Sequence, residues 1–269
     1  MQASFSSQNE IDEQAKAFYS ETLKVLNASG IPFLVGGAYA LAYYTGIERH
    51  TKDLDVFVRR EDCARTLDLL RKAGYRTEMT FPHWLGKVFH GGEFVDVIFS
   101  SGNAIAEVDD LWFERSVDGE ILGVAVKLSP VEEMIWSKAF VMERERYDGA
   151  DIAHILRMCG NTLDWRRLLK RFEDNQRVLF AHLTLFGFIY PSERNKVPQW
   201  VMKELLTYLR QELDSQPTAE KICRGTLLSR AQYLVDVDRD GFRDARLEPV
   251  GKMTAEEIEH WTAAIDTVK

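Results

Sequence analysis

Residues 51–58 read TKDLDVFV, and how this stretch is read decides the rest. Leu54, Val56, Phe57 and Val58 give it the apolar, branched texture of a strand entering a core. Asp53 and Asp55 lie within it, and residues two apart on a strand point to one face. Two carboxylates held about 4 Å apart repel by on the order of 4 kcal/mol at an effective dielectric of about 20. A cation between them offsets that cost. Mg²⁺ suits the place, because it takes oxygen ligands and binds through one or two carboxylates plus substrate phosphates. The alternative open at this point is that the pair closes a strand end and caps neighbouring backbone.

Working outward, IPFLV (31–35) is a short strand stopped by Gly36-Gly37, and AYALAYYTG (38–46) begins a helix. Glycines at a strand-to-helix junction let a phosphate approach the backbone, and a helix N-terminus offers unbonded N–H groups. Downstream, Asp96 is a single acid inside the apolar strand FVDVIF (94–99). If that strand lies beside the one carrying Asp53 and Asp55, the three acids form a two-metal cluster. Such clusters clamp the attacking and leaving oxygens of a phosphoryl displacement. Lys138 falls in the helical stripe Met134, Ile135, Val141 and Met142, where a lysine needs an anionic partner or must snorkel outward.

The remaining elements place these residues. A helix is expected over 9–28, ended by Ser29-Gly30, and another over 61–73, closed by Gly74. WLGKVFH and EFVDVIFS flank Gly91-Gly92 as a β-hairpin, and SVDGEI with GVAVKL forms a second strand pair. The order helix-strand-helix-strand-helix followed by hairpins predicts an α/β (α+β) domain with a mixed β-sheet over residues 1–128. At Ser129 the texture changes. Ser129 suits an N-cap, Pro130 the first helical position, and Glu132 a capping box. Helices are expected over 130–146, 149–159, 164–189 and 197–213, giving an all-helical domain over 129–269. Its tail from 214 onward is expected to pack back on the body.

Composition bounds the class. The 269 residues are 45% hydrophobic and 28% charged, ordinary for a globular chain. The net charge of −8 argues against the broad basic surface of a non-specific nucleic-acid binder, and leaves a local basic groove open. Cys63, Cys159 and Cys223 are scattered and form no CxxC pair, which fits a reducing compartment. The N-terminal stretch lacks the apolar core of a signal peptide, and the apolar run 178–190 contains His182 and is too short for a bilayer. A soluble, cytoplasmic protein is expected, with no membrane partner.

Two further motifs point to function less than they first suggest. DVDRDGFRD (236–244) has calcium-loop spacing, but Leu247 stands where a loop glutamate belongs and Arg243 where an apolar residue does; an acidic surface turn is expected. DWRRLLKRF (164–172) spaces Arg166, Arg167, Lys170 and Arg171 along a helix opposite Trp165, Leu168, Leu169 and Phe172. That is the pattern of a solvated face over a buried one.

A GG after the first strand, D-x-D on the next and one more acid on a later strand resemble the nucleotidyltransferase superfamily with the DNA polymerase β-like fold. FLVGGAYALAYYTGIERHTKDLDVFV (33–58) looks like its small bacterial branches, the AbiEii-type and antibiotic nucleotidyltransferases. Those carry an Arg and a Thr or His shortly before the acids, where this chain has Arg49, His50 and Thr51. SPVEEMIWSKAFVMERERYDGADIAHIL (129–156) is similar to an AbiEii-type run, which singles out Lys138, Arg144, Asp148 and Asp151. The alternative for Asp148 and Asp151 is simply to cap the helix starting at Gly149. The likeness covers roughly 31–160, and fifteen residues separate Gly37 from Asp53, slightly more than in compact members.

The resemblance implies a catalytic domain over 1–128 that transfers a nucleoside monophosphate from an NTP such as ATP to a hydroxyl-bearing acceptor, releasing pyrophosphate. It implies Mg²⁺ or Mn²⁺ on Asp53, Asp55 and Asp96, with Asp96 helping to deprotonate the acceptor. Gly36, Gly37, Arg49, Thr51 and Lys138 would bind the nucleotide, Lys138 neutralising its outer phosphates. An RNA end, a protein side chain and a small molecule are open as acceptors. Two other functions compete: a non-catalytic nucleotide-binding or regulatory module of this fold, and a DxD glycosyltransferase. The GG and Asp96 fit the transferase better.

Overall fold

The computed structural model describes residues 13–49, 51–248 and 250–264. The chain forms two compact units: one takes residues up to Ser100 together with Glu107–Pro130, the other Ser101–Ala106 together with residues from Val131 onward.

The first unit runs α1 (Glu13–Ser29), β1 (Leu34–Val35), α2 (Gly37–Thr45), β2 (Asp53–Phe57), α3 (Arg60–Lys72), β3 (Arg76–Phe81), β4 (Leu85–His90), β5 (Glu93–Ile98), α4 (Asp110–Glu114), β6 (Val117–Ile121) and β7 (Val124–Leu128). Its seven strands form one mixed sheet in the order β3-β4-β5-β2-β1-β7-β6. β2 runs parallel to β5, β1 antiparallel to β2 and parallel to β7. The β4–β5 and β6–β7 hairpins form where their turns place them.

Alternation along β2 sorts its side chains. Leu54 and Val56 are fully buried, while Asp53, Asp55 and Phe57 on the other face are half-buried. The inward face joins Val88, Val95 and Val97 to Phe18, Tyr19, Leu23 and Leu26 of α1 and to Cys63, Leu67 and Leu70 of α3. Each such side chain contributes roughly 1.5–3 kcal/mol on burial. That core fixes the pleat of β2, and a slip of one residue would exchange the acids with the apolar set. Two details differ from the sequence expectation. β1 is shorter than IPFLV, because Pro32 has no N–H for a ladder. β3 was not anticipated: RTEMTF is a largely exposed edge strand without apolar alternation.

The second unit holds α5 (Val131–Lys138), α6 (Gly149–Cys159), α7 (Trp165–Phe172), α8 (Gln176–Ile189), α9 (Gln199–Asp214), β8 (Ile222–Cys223), α10 (Leu234–Asp238), β9 (Arg243–Asp244) and α11 (Ala255–Ala263). The helix expected over 130–146 stops at Lys138. The chain then doubles back through a Met142–Tyr147 bridge, and Met142 N–H donates to Leu228 of the C-terminal segment. The expected Ser129 capping box does not form. The Glu132 carboxylate instead accepts from Asp164 N at 2.6 Å and pairs with Arg167. The run 164–189 breaks at Glu173, where φ is +31°. Trp165, Leu168, Leu169 and Phe172 are buried as their spacing predicts. Arg167 and Arg171 are not solvated, however: both pair with the fully buried Glu133, at 3.2 and 3.0 Å. The 236–244 segment is also not wholly a surface turn. Asp244 is buried against the fully buried Arg246, and Asp240 pairs with Arg239. No described helix is long and apolar enough to cross a membrane.

His182 of α8 makes the stability of this unit pH-sensitive. Its ring is buried, stacks on Tyr147, and donates Nε2–H to Ala139 O at 2.9 Å as the neutral form. Burial lowers its pKa below the usual imidazole range, with the Ala139 bond opposing in part. A lowered folded pKa means the unfolded chain takes the proton first. Stability is therefore kept above about pH 6.5 and lost as pH falls from there through the lowered folded value. Thermal melts between pH 8 and pH 5 should show a drop that is smaller in His182→Gln; parallel curves for the two proteins would contradict it.

Candidate active site

On the face of the sheet opposite α1 and α3, the parallel register sets Asp55 directly beside Asp96 and Asp53 beside Phe94. One carboxylate oxygen from each of Asp53, Asp55 and Asp96 lies within 4.8 Å of the other two. Asp96 is the most enclosed of the three, 8% exposed. All donors are hard oxygens on rigid strands, and a set of this kind fits Mg²⁺ or Mn²⁺.

A cation already stands at one edge. Lys87 on β4 is the antiparallel register partner of Asp96, and its ammonium donates to Asp96 Oδ1 at 2.7 Å. The same ammonium lies 3.8 Å from the centre of the Phe94 ring. Asp55, Asp96 and Lys87 thus form one row across β2, β5 and β4. In the sequence, the lysine of WLGKVFH carries no local signal; only the register reveals its partner.

The two glycines adjoin the acids. Gly36 N–H donates to Asp55 O at 3.0 Å, which fastens the start of α2 to the acid strand. Gly37 has φ +55°, and a Cβ there would overlap the Asp55 carboxylate. A Cβ on Gly36 would overlap the Phe57 ring. The pair is therefore required by close packing as well as by the turn. No side chain caps the N-terminus of α2, so its first-turn N–H groups can serve an anion. Two hydroxyls, Ser129 Oγ beside Gly36 and Tyr39 Oη of α2, are buried and without a hydrogen-bond partner among the described residues. Burial, then the negative charges of Asp53 and Glu93, push the Tyr39 phenol up to about 12.

Thr51 bonds through its hydroxyl to the Asp53 carboxylate and so fixes the orientation of that side chain. Arg49 is exposed just before it, and His50 lies outside the described residues.

The other residues singled out by sequence lie in the second unit, where Lys138, Asp148 and Asp151 form a cluster of their own. Lys138 bridges Asp148 at 2.9 Å and Asp151 at 2.8 Å. The arginine that meets Asp148 is Arg146, at 3.0 Å, whereas Arg144 is exposed. Asp148 occupies the N-cap position of α6, yet its side chain does not cap. Burial alone would raise its carboxyl, but Arg146 and Lys138 outweigh burial and hold it at about 2.

A family model described as "uncharacterised nucleotidyltransferase" matches residues 4–186. No curated protein matches the chain. Among solved structures, the chain is similar to an antigenic nucleotidyltransferase-like protein from Paracoccidioides brasiliensis. That pair shows 19% identity and a TM-score of 0.46, over 69% of this chain and 94% of the other. The antibiotic-resistance factor ANT(2'')-Ia gives 17% identity and a TM-score of 0.46, over 64% of this chain and 98% of the other. The lincosamide antibiotic adenylyltransferase LnuA gives 13% identity and a TM-score of 0.38, over 55% and 96%.

Proposed function

Because the chain belongs to the family described as uncharacterised nucleotidyltransferase, we propose that this nucleotidyltransferase moves a nucleoside monophosphate from an NTP to a hydroxyl-bearing acceptor and releases pyrophosphate. One observation supports this above the others: three carboxylates converge on a sheet face whose acid strand is fastened to an uncapped helix N-terminus.

Asp53, Asp55 and Asp96 would hold the divalent ions, Mg²⁺ or Mn²⁺, which when bound supply charge neutralisation at the phosphate oxygens. The first-turn N–H groups of α2 bind the phosphates, with Gly37 keeping the approach open. Thr51 holds Asp53 in orientation. Asp96 accepts the proton of the acceptor hydroxyl, whose oxygen attacks the α-phosphorus. The bond from that phosphorus to the bridging oxygen breaks, and pyrophosphate leaves with the electron pair. Positioning and electrostatic stabilisation carry most of such a step.

Lys138 lies in the second unit, in an ion cluster of its own. An ammonium has three donors, and Asp148 and Asp151 take two of them. The acceptor belongs to the class of hydroxyl compounds, with RNA ends, protein side chains and small molecules as its members to be distinguished.

Binding of a non-hydrolysable NTP, followed by calorimetry, tests the site without an acceptor. It should require Mg²⁺ or Mn²⁺ and disappear in the Asp53→Asn, Asp55→Asn double variant. Binding of equal strength in EDTA would contradict the metal-dependent reading.

A further inference from the structure

We propose that Lys87 is a built-in counter-cation that competes with a divalent ion for Asp96, so that the acid cluster loads metal in two stages. The first ion takes Asp53 and Asp55; Asp96 joins a second ion only when Lys87 lets go. The proposal rests on the metal reading above and adds to it a residue that sets the order and strength of loading.

Three observations carry it. Lys87 and Asp96 are directly paired across β4 and β5, so strand register and not a chance rotamer brings them together. The ammonium lies 2.7 Å from Asp96 Oδ1, with side-chain exposures of only 20% and 12% for the pair. Phe94, the next residue on the same face of β5, presents its ring to the ammonium at 3.8 Å and strengthens its hold. Lys87 holds Asp96 Oδ1 and places a positive charge where a metal ion would bring more, and like charges in a partly buried place oppose one another. Lys87 also accounts for the cohesion of three acids on one face: its charge offsets part of their mutual repulsion.

Mn²⁺ alone, titrated into the EDTA-stripped full chain and followed by electron paramagnetic resonance of the free ion, tests the proposal. Lys87→Met, which keeps the aliphatic stem, should bind Mn²⁺ about tenfold tighter than the parent. Lys87→Arg, which keeps the charge, should bind like the parent. Phe94→Leu leaves every charge in place but removes the ring, and should tighten binding about two- to threefold. It decides the matter if Lys87→Met does not fold. In metal-free melts, Lys87→Met should be less stable than the parent, and Mn²⁺ should raise its Tm by more. The proposal is overturned if Lys87→Met and Phe94→Leu bind Mn²⁺ no tighter than the parent while Asp53→Asn abolishes binding; the metal reading then stands without it. No Mn²⁺ binding that Asp53→Asn weakens, in any variant, overturns the metal reading itself.

Discussion

Asp53→Asn and Asp55→Asn are each expected to lower nucleotidyl transfer on the order of a thousandfold, about 4 kcal/mol of transition-state stabilisation. The fold should survive. Both side chains lie on the half-buried face of β2, away from the Leu54 and Val56 contacts that hold the strand. Asparagine is nearly isosteric with aspartate, and removing one of three crowded carboxylates relieves repulsion. The melting temperature of either metal-free variant should therefore equal or exceed that of the parent. Activity loss without stability loss separates a ligand from a structural residue, and a variant that melts several degrees lower would show that the acids hold the fold.

Gly37→Ala should be almost as damaging to activity, for a different reason. The backbone at Gly37 has φ +55°, where a Cβ costs roughly 1–2 kcal/mol. The added methyl would also overlap the Asp55 carboxylate, so that either Asp55 leaves the cluster or the start of α2 shifts off it. Gly30→Ala separates the two effects. Gly30 has φ +71° with nothing near a Cβ, so it carries the backbone cost alone. Gly30→Ala should lose only the backbone cost and Gly37→Ala more, and only Gly37→Ala should lose transfer activity, by roughly a hundredfold or more. Equal activity in the two would mean that close packing of Gly37 on Asp55 is not needed for catalysis.

The acid trio was legible in the sequence because each member breaks a local rule. Asp53 and Asp55 interrupt a strand on one face, and Asp96 stands alone among apolar residues; that their strands meet is a condition in the sequence, which the parallel β2–β5 register meets. The GG pair was legible as a turn. Its closeness to Asp55 and Phe57 was not, since that depends on how β2 seats against α2. Lys87 carried no local signal at all, and only its register with Asp96 gives it meaning. The early end of α5 was hidden for a similar reason. Val141 and Met142 continue the helical stripe, but the Met142–Tyr147 bridge and the bond to Leu228 take the backbone elsewhere. Arg167 and Arg171 read as solvated because charge spacing alone cannot report Glu132 and Glu133, more than thirty residues earlier in the chain. Period and isolated charge show in a sequence, whereas partners brought by the fold do not.

The central claim is most directly tested by label transfer. The full chain is incubated with Mg²⁺ and each α-³²P-labelled NTP in a cell extract, which is then fractionated into RNA, protein and small molecules. The Asp53→Asn, Asp55→Asn double variant serves as the control. We expect label in one fraction, dependent on Mg²⁺ and present only with the intact chain, and that fraction would identify the acceptor class. Label transferred equally by the double variant would contradict the claim that these acids carry out the reaction.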